Sequence, residues 1–424
     1  MTRPTLPAKG RYSALRLLRE GLRGQTGWGQ VWRSPEPRKR YDAVIIGGGG
    51  HGLSAAYHLA KDHGITNVAV IEKAWLGGGN TGRNTTIIRS NYFNKASQDL
   101  YDGALKLYEG LSRELNYNIM FSQRGSIELA HSAAEMEGLR RVVNAMQVNG
   151  IESSLLSRDE VLAMVPLLNA SPDCRWPVVG GMIQRRAGVA RHDAVAWGYA
   201  RGADSLGVDI LQNCEVTGFV IAGGRVTAVQ TSQGEIAADV FGMAVAGQSP
   251  ALARLAGFQL PLLCMTLQAM VSEPIKPCLD QVVASTPNGA YVSQSDKGEL
   301  VIGGGLDYAP SFARRGGLPK TREVLAALVE MFPAFSTLKL LRQWGGTVDT
   351  SPDNSPILGP SPVANLMLNC GWGTGGFKAI PMGGKLLAHL VATGRHHPLS
   401  VPFDLGRFET GRLIDEGHAG VAHD

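Results

Sequence analysis

No run of ~18 consecutive apolar residues occurs in the chain, so no membrane-spanning helix is expected. Cysteine is scarce: five residues, at 174, 214, 264, 278 and 370, an odd number with no C-x-x-C pair. That pattern argues against a disulfide framework or a zinc site and favours buried free thiols in a reducing, cytoplasmic compartment. The N-terminus lacks the apolar core of a signal peptide and any twin-arginine pair ahead of such a core. A basic surplus is missing from most of the chain as well. The formal net charge is +5, but residues 1–40 hold ten Lys/Arg against Glu20 and Glu36, a balance of +8 that leaves −3 for the rest. The body therefore offers no basic face for nucleic acid. What is present is a soluble globular composition, with 44% hydrophobic residues and a mean hydropathy of −0.03. At ~100–200 residues per domain, this length predicts about two domains with a substantial core.

Glycine is plentiful, and its placement is informative. Tyr41 to Ile46 is an apolar, β-branched run that ends in four glycines, Gly47 to Gly50. Gly47, Gly49 and Gly52 fit the dinucleotide spacing G-x-G-x-x-G, which needs a tight turn, a close approach of pyrophosphate to backbone, and close packing of the next helix. That helix, from about His51 to Lys61, presents its positive N-terminal end to phosphates. A second strand, Val68 to Ile71, delivers Glu72 20 positions after Gly52, as an acceptor for a ribose diol, with Lys73 beside it. A purely structural glycine turn leaves Glu72 unexplained.

Ahead of this unit, RYSALRLLREGLR places leucines and arginines at helical spacing from Arg11 to Arg23. A targeting peptide, a membrane-surface helix and a docking arm all fit; an arm ordered on another surface is the favoured reading. Pro35 and Pro37 mark a boundary before the first strand. Directly after Glu72, the polar segment WLGGGNTGRNTTIIRSNY carries Asn80, Arg83, Asn84, Thr85 and Arg89, and suits a chain wrapping a flavin.

Farther on, helical patterns at 98–148 bracket a strand-like MFSQRGSIELA, and Arg158 to Leu168 reads as another helix. A helix from near Asp193 leads to a strand at Val208 to Leu211 that returns to the nucleotide sheet, with Val216 near the adenine. DVFGMAVAG ends at Gly247, closing the far side of the pocket. Near the C-terminus, GWGTGGFKAIP, with Gly373, Gly375, Gly376 and Lys378, is a second glycine-rich approach to a helix, read as starting near Pro381. A helix N-terminus there can stabilise negative charge on a reduced flavin. Two such loops separated by most of the chain fit one long cofactor, and FAD better than NAD.

These stretches, with NYNIMFSQRG, RHDAVAWGYARGAD, VDILQNCEVTG and RQWGGTVDTSPDNSPI, resemble the β subunits of heterotetrameric sarcosine oxidases, in the glycine/D-amino-acid oxidase-like FAD superfamily. The resemblance runs from Arg33 to about His397. It implies an α/β fold: a glutathione-reductase-type, Rossmann-like FAD-binding domain (residues 41–95, 186–261 and 340–424) with a discontinuous α+β substrate and interface domain on a mixed sheet (96–185 and 262–339), after a basic arm (1–40). It further implies oxidation of the N-methyl group of sarcosine, noncovalent FAD, and FMN linked covalently to His192. From its surroundings alone, His192 fits equally well as a residue opening a helix near Asp193.

The resemblance also carries the substrate carboxylate onto Arg89 and Lys378, and implies partner subunits: α, binding NAD and tetrahydrofolate, with small γ and δ, in a heterotetramer. Two departures from the monomeric relatives matter. Gly345, Gly346 and Thr347 stand where those enzymes have a flavin-linking cysteine. Leu300, Val301 and Ile302 stand where they have a lysine for oxygen reduction, so electrons are expected to leave FAD for the second flavin before reaching oxygen. Another N-methyl or D-amino acid as substrate, or a catalytically silent flavin-binding subunit, stays open at this point.

Overall fold

The computed structural model describes residues 14–27 and 30–414. Arg40–Ile46 is a strand whose last four side chains are all buried, as a central strand covered on both faces requires. It pairs in parallel with Gly234–Met243 on one side and Val68–Ile71 on the other. The sheet continues in parallel to Asp209–Leu211 at one edge, so the chain does return there as expected. At the other side it passes through parallel Leu366–Cys370 to antiparallel Ile357–Pro360. Val216–Ala222 and Arg225–Thr231 form a hairpin, turned by Gly223 and Gly224 at positive φ, that joins Gly234–Met243.

The helix Gly50–His63 packs against Gly376–Thr393 and His192–Ser205. Leu53, Tyr57, Val195, Tyr199, Leu387 and Val391 are buried in this shared core. A second, mixed sheet runs in the order Leu340–Thr350, Leu263–Pro274, Glu299–Pro310, Ala290–Gln294, Val282–Ser285, Ser126–Ala130, Gly180–Gln184, Ser154–Ser157. Helices Leu318–Met331 and Arg158–Met164 close its core through Val324, Leu328 and Val161, against Ile127, Val292 and Ile302. These are the α/β nucleotide sheet and the mixed-sheet α+β unit expected. All five cysteines are free, with Cys214, Cys264 and Cys370 buried. Among the described residues, no helix is long and apolar enough to cross a membrane.

Several elements depart from the sequence reading. The C-terminal helix begins at Gly376, with Pro381 inside it. A proline there removes the N–H that the Phe377 carbonyl needs. The buried Tyr108 hydroxyl supplies that donor at 2.7 Å, so the helix continues through the proline. The helix Lys95–Glu114, all but its first residue in the stretch assigned to the second domain, buries Leu105, Tyr108 and Leu111 in the nucleotide-sheet core. Leu340–Thr350, assigned to the first domain, is an edge strand of the second sheet, paired with Leu263–Pro274. Periodicity identifies an element without saying which core accepts its stripe. The helix after Ser157 stops at Met164, short of Leu168.

The arm is helical over Ala14–Leu22, with no buried side chain; Arg11 to Ser13 lie outside the described residues. The chain reaches the body before residue 40. Arg33 and Arg38 pair with the buried Asp209 at 3.4 and 2.9 Å, fastening residues 33–38 to the sheet edge.

Candidate active site

A cavity of about 300 Å3 is lined from both sheets. At one end stands the glycine turn. Gly47 has φ +111°, and a Cβ there would collide with the Ala244 carbonyl. A Cβ at Gly52 would strike the Gly47 carbonyl, so the third glycine brings helix and turn together. Gly49 caps the helix in extended backbone with no side chain of its own, the Thr81 hydroxyl accepts from Gly50 N at 3.0 Å, and the positive end of the helix stands at the cavity wall. The Glu72 carboxylate accepts from Gly48 N at 2.9 Å and Ala74 N at 3.0 Å. These bonds hold it at the end of its strand, where Lys73, Cys214 and Val216 also line the wall.

The polar segment after Glu72 forms the middle wall. Asn80 clips it to the second sheet, donating to the Thr347 carbonyl at 2.5 Å and accepting from Thr347 N at 3.1 Å. Arg83 donates to the carbonyls of Gly78 and Gly79, and Asn84 to that of Thr81. Both therefore shape the loop while lining the cavity. Thr85 Oγ1 meets the Tyr291 hydroxyl at 3.1 Å, a partner from the second sheet.

At the far end, the helix from Gly376 also starts without a side-chain cap. His51 ties the two helix starts together: its Nε2 lies 2.8 Å from the Gly376 carbonyl, and its ring sits 4.6 Å from that of Trp372. A carbonyl only accepts, so Nε2 carries the proton; burial pushes the imidazole down to about 4, keeping it neutral. Tyr92 and Tyr101 stack at 3.8 Å, and a Cβ at Gly375 would strike the Tyr101 hydroxyl. Arg89 lies 5.4 Å and Lys378 6.0 Å from the Tyr92 ring centroid. Lys378 is buried, donates to the Thr374 carbonyl at 3.3 Å, and is held well below the usual lysine range by burial and then by Arg89. Two cations converging in a buried pocket call for an anion.

Residues 42–390 match the family model described as FAD dependent oxidoreductase. The chain is 55% identical to a Rhodobacter capsulatus protein named sarcosine oxidase subunit beta, over 97% of this chain and all of that one. It is 52% identical to the protein of the same name from an Arthrobacter species, over 93% of this chain and 97% of the relative. Among solved structures, L-proline dehydrogenase from P. horikoshii superposes with a TM-score of 0.83 at 28% identity, covering 89% of this chain and 100% of that one. The chain belongs to the sarcosine oxidase β-subunit family of FAD-dependent oxidoreductases.

For a member of this family, the residues present fit FAD. Two helix starts, a glycine cradle and the Glu72 carboxylate line one continuous cavity. Of the residues singled out in the sequence, Gly47, Gly49, Gly50, Glu72, Lys73, Asn80, Arg83, Asn84, Thr85, Arg89, Val216, Gly247, Gly373, Gly376 and Lys378 line it. Gly52 and Gly375 stand behind the wall, where they set the packing.

His192 does not line the cavity. It opens the helix His192–Ser205, half-buried, with burial lowering its basicity. Ala196, one turn along, approaches the Gly77 loop, so this helix lies just outside the wrapping segment. Trp75 and Trp197 are exposed on the surface.

Sequence reasoning missed His51, Tyr291, Trp372 and Asp349, which all line the cavity. His51 stood within the fingerprint as an unassigned x position. Tyr291 and Asp349 carry no local signal, because their place in the wall comes from strand pairing.

Proposed function

We propose that this chain oxidises the N-methyl group of sarcosine, with its carboxylate held by Arg89 and Lys378. The convergence of these two cations at Tyr92, in the cavity that also holds the glycine cradle, is the observation that carries the reading. Sarcosine, with its amine unprotonated, gives up a hydride equivalent from the methyl carbon; the resulting iminium hydrolyses to glycine and a formaldehyde-level one-carbon unit. Noncovalent FAD supplies the two-electron acceptor, and FMN linked to His192 the onward carrier to O2, which becomes hydrogen peroxide.

The chain's own residues orient and exclude. A carboxylate fixed at two points leaves the methyl group little freedom, and a near-attack distance of ~3–3.5 Å depends on that restriction. Noncovalent FAD is supported by Gly346 and Thr347 in the wall, at the place of the relatives' linking cysteine. Onward electron transfer is supported by Leu300, Val301 and Ile302, which stand where the monomeric relatives have the lysine for oxygen reduction. In the assembly this reading requires, an α subunit carrying NAD and tetrahydrofolate receives the one-carbon unit, and γ and δ complete a heterotetramer in the cytoplasm.

Co-expression with the partner subunits, followed by acid precipitation, tests the flavin assignment. One flavin should stay with this chain and a second, FAD, should be released. A His192→Ala complex that keeps both covalent flavin and normal oxidase turnover refutes it. Stopped-flow flavin reduction by sarcosine, dimethylglycine and D-amino acids tests the substrate, with sarcosine expected to be fastest.

A further inference from the structure

Beyond the glycine turn, four cations line the cavity: Arg83, Arg89, Arg314 and Lys378. A pocket charged in this way should hold a dicarboxylate more tightly than a monocarboxylate, unless a fixed negative charge opposes it. Four acids line the same cavity, and three of them are occupied elsewhere. Glu72 is held by Gly48 N and Ala74 N, and Glu215 stands between Cys214 and Val216 at that same end. Asp349 is 1% exposed, its Oδ2 accepting from Gly371 N at 2.6 Å. The fourth is Glu128.

Glu128 belongs to the strand Ser126–Ala130 of the second sheet, where side chains alternate: Ser126 and Glu128 line the cavity, while Ile127 and Leu129 enter the core behind. Ser126 stands opposite Gln184 in the ladder, and the Gln184 amide accepts from Ser90 N at 2.8 Å and donates to Ser90 Oγ at 2.7 Å. This end of the sheet is thereby fastened to the residue after Arg89, and Glu128 lies two positions, ~7 Å, further along its strand. Its Oε1 accepts from Thr286 N at 2.9 Å and Thr286 Oγ1 at 2.5 Å. Thr286 also lines the cavity and is itself exposed, so this corner is a mouth of the cavity. Glu128 is only half-buried, and its Oε2 has no hydrogen-bond partner among the described residues and is not enclosed, so a ligand can approach it.

We propose that Glu128 is a specificity-determining residue: a fixed negative charge at the mouth that admits N-alkyl amino acids with one carboxylate and disfavours those with a second. This rests on the Arg89 and Lys378 carboxylate site. With one carboxylate on those two cations, a second has to be placed in the cavity within the field of Glu128. Like charges ~10 Å apart at an effective dielectric of ~20 change affinity roughly tenfold.

The test compares ligands of one shape and different charge, propionate and malonate. Each is titrated into the FAD-loaded complex with its partner subunits, at a pH where both malonate carboxylates are ionised, and read by the shift in flavin absorption. The ratio of the two dissociation constants is the informative quantity. In Glu128→Gln, which keeps an acceptor for Thr286 N, malonate should gain on propionate roughly five- to tenfold. Raised salt should narrow the difference between wild type and variant. Thr286→Ala loosens the same corner but leaves the charge in place, and should keep the wild-type ratio. An unchanged ratio in Glu128→Gln overturns the proposal, as does an equal change in Thr286→Ala, which makes the loop and not the charge responsible. Propionate that binds Arg89→Met as tightly as the wild type overturns the carboxylate site itself, whatever the ratio.

Discussion

Replacing Lys378 and Arg89 by methionine, singly and together, tests the proposed carboxylate site, and the structure sets the size and sign of the effect. Each charged hydrogen bond to the substrate carboxylate is worth ~1.5–3 kcal/mol, so each single variant should lose roughly ten- to a hundred-fold in kcat/KM. The pair is also coupled before substrate arrives. Both cations lie within 6.0 Å of the Tyr92 centroid, at 5.4 and 6.0 Å, and so are no more than 11.4 Å apart. At an effective dielectric of ~20 their repulsion, when both are charged, is then at least ~1.5 kcal/mol, and it adds to the burial that already holds Lys378 down. In the wild type, a bound carboxylate should favour the charged form of a lysine that burial and Arg89 depress. In Arg89→Met the lysine is depressed by burial alone and becomes the sole anchor, so its further loss costs more. The double variant should lose more than the sum of the singles, by ~0.5–3 kcal/mol. KM should climb as pH rises through the lowered Lys378 value, and Lys378→Met should lose that component, leaving only the titration of the substrate amine. Anaerobic stopped-flow reduction at varied sarcosine and pH, with acetate as a competing carboxylate, reads all of this. Wild-type kinetics in both singles, or strict additivity in the double, refutes a shared carboxylate site.

Three further outcomes follow from the framework. Glu72→Ala removes the acceptor of Gly48 N and Ala74 N along with the proposed diol contact, and should weaken FAD binding roughly ten- to a hundred-fold, read by fluorescence titration. Tyr108→Phe strands the Phe377 carbonyl beside Pro381 and should destabilise the fold by ~1–3 kcal/mol in chemical denaturation, whereas a silent result would mean that water serves that carbonyl. Asp349 is held above its ordinary value, so the cofactor-free protein binds a proton on folding. Its stability should fall as pH rises from about 4 to about 7 and then level off, and Asp349→Asn should remove that slope, by up to a few kcal/mol.

How much of this was legible beforehand follows from the range over which each signal acts. The strand, glycine turn, helix and Glu72 were readable because every constraint in that unit is local: Gly52 must be glycine because Gly47 is five residues away. Arg89 and Lys378 were reachable only through resemblance, since nothing near either residue announces the other. Their meeting at Tyr92 depends on a ring stacked against Tyr101 from the next helix. The misplaced start of the C-terminal helix has the same origin. Pro381 signals a helix start by itself, and only Tyr108, from a distant helix, permits a turn ahead of it. Asp349 lies at the limit of this logic. Its neighbours in sequence describe an ordinary strand, while its character comes from Gly371, Cys264 and Cys370, brought together by two separate strand pairings. A spacing rule finds groups that face one another along one element. A single buried carboxyl at the meeting point of two sheets becomes visible only once the sheets are built.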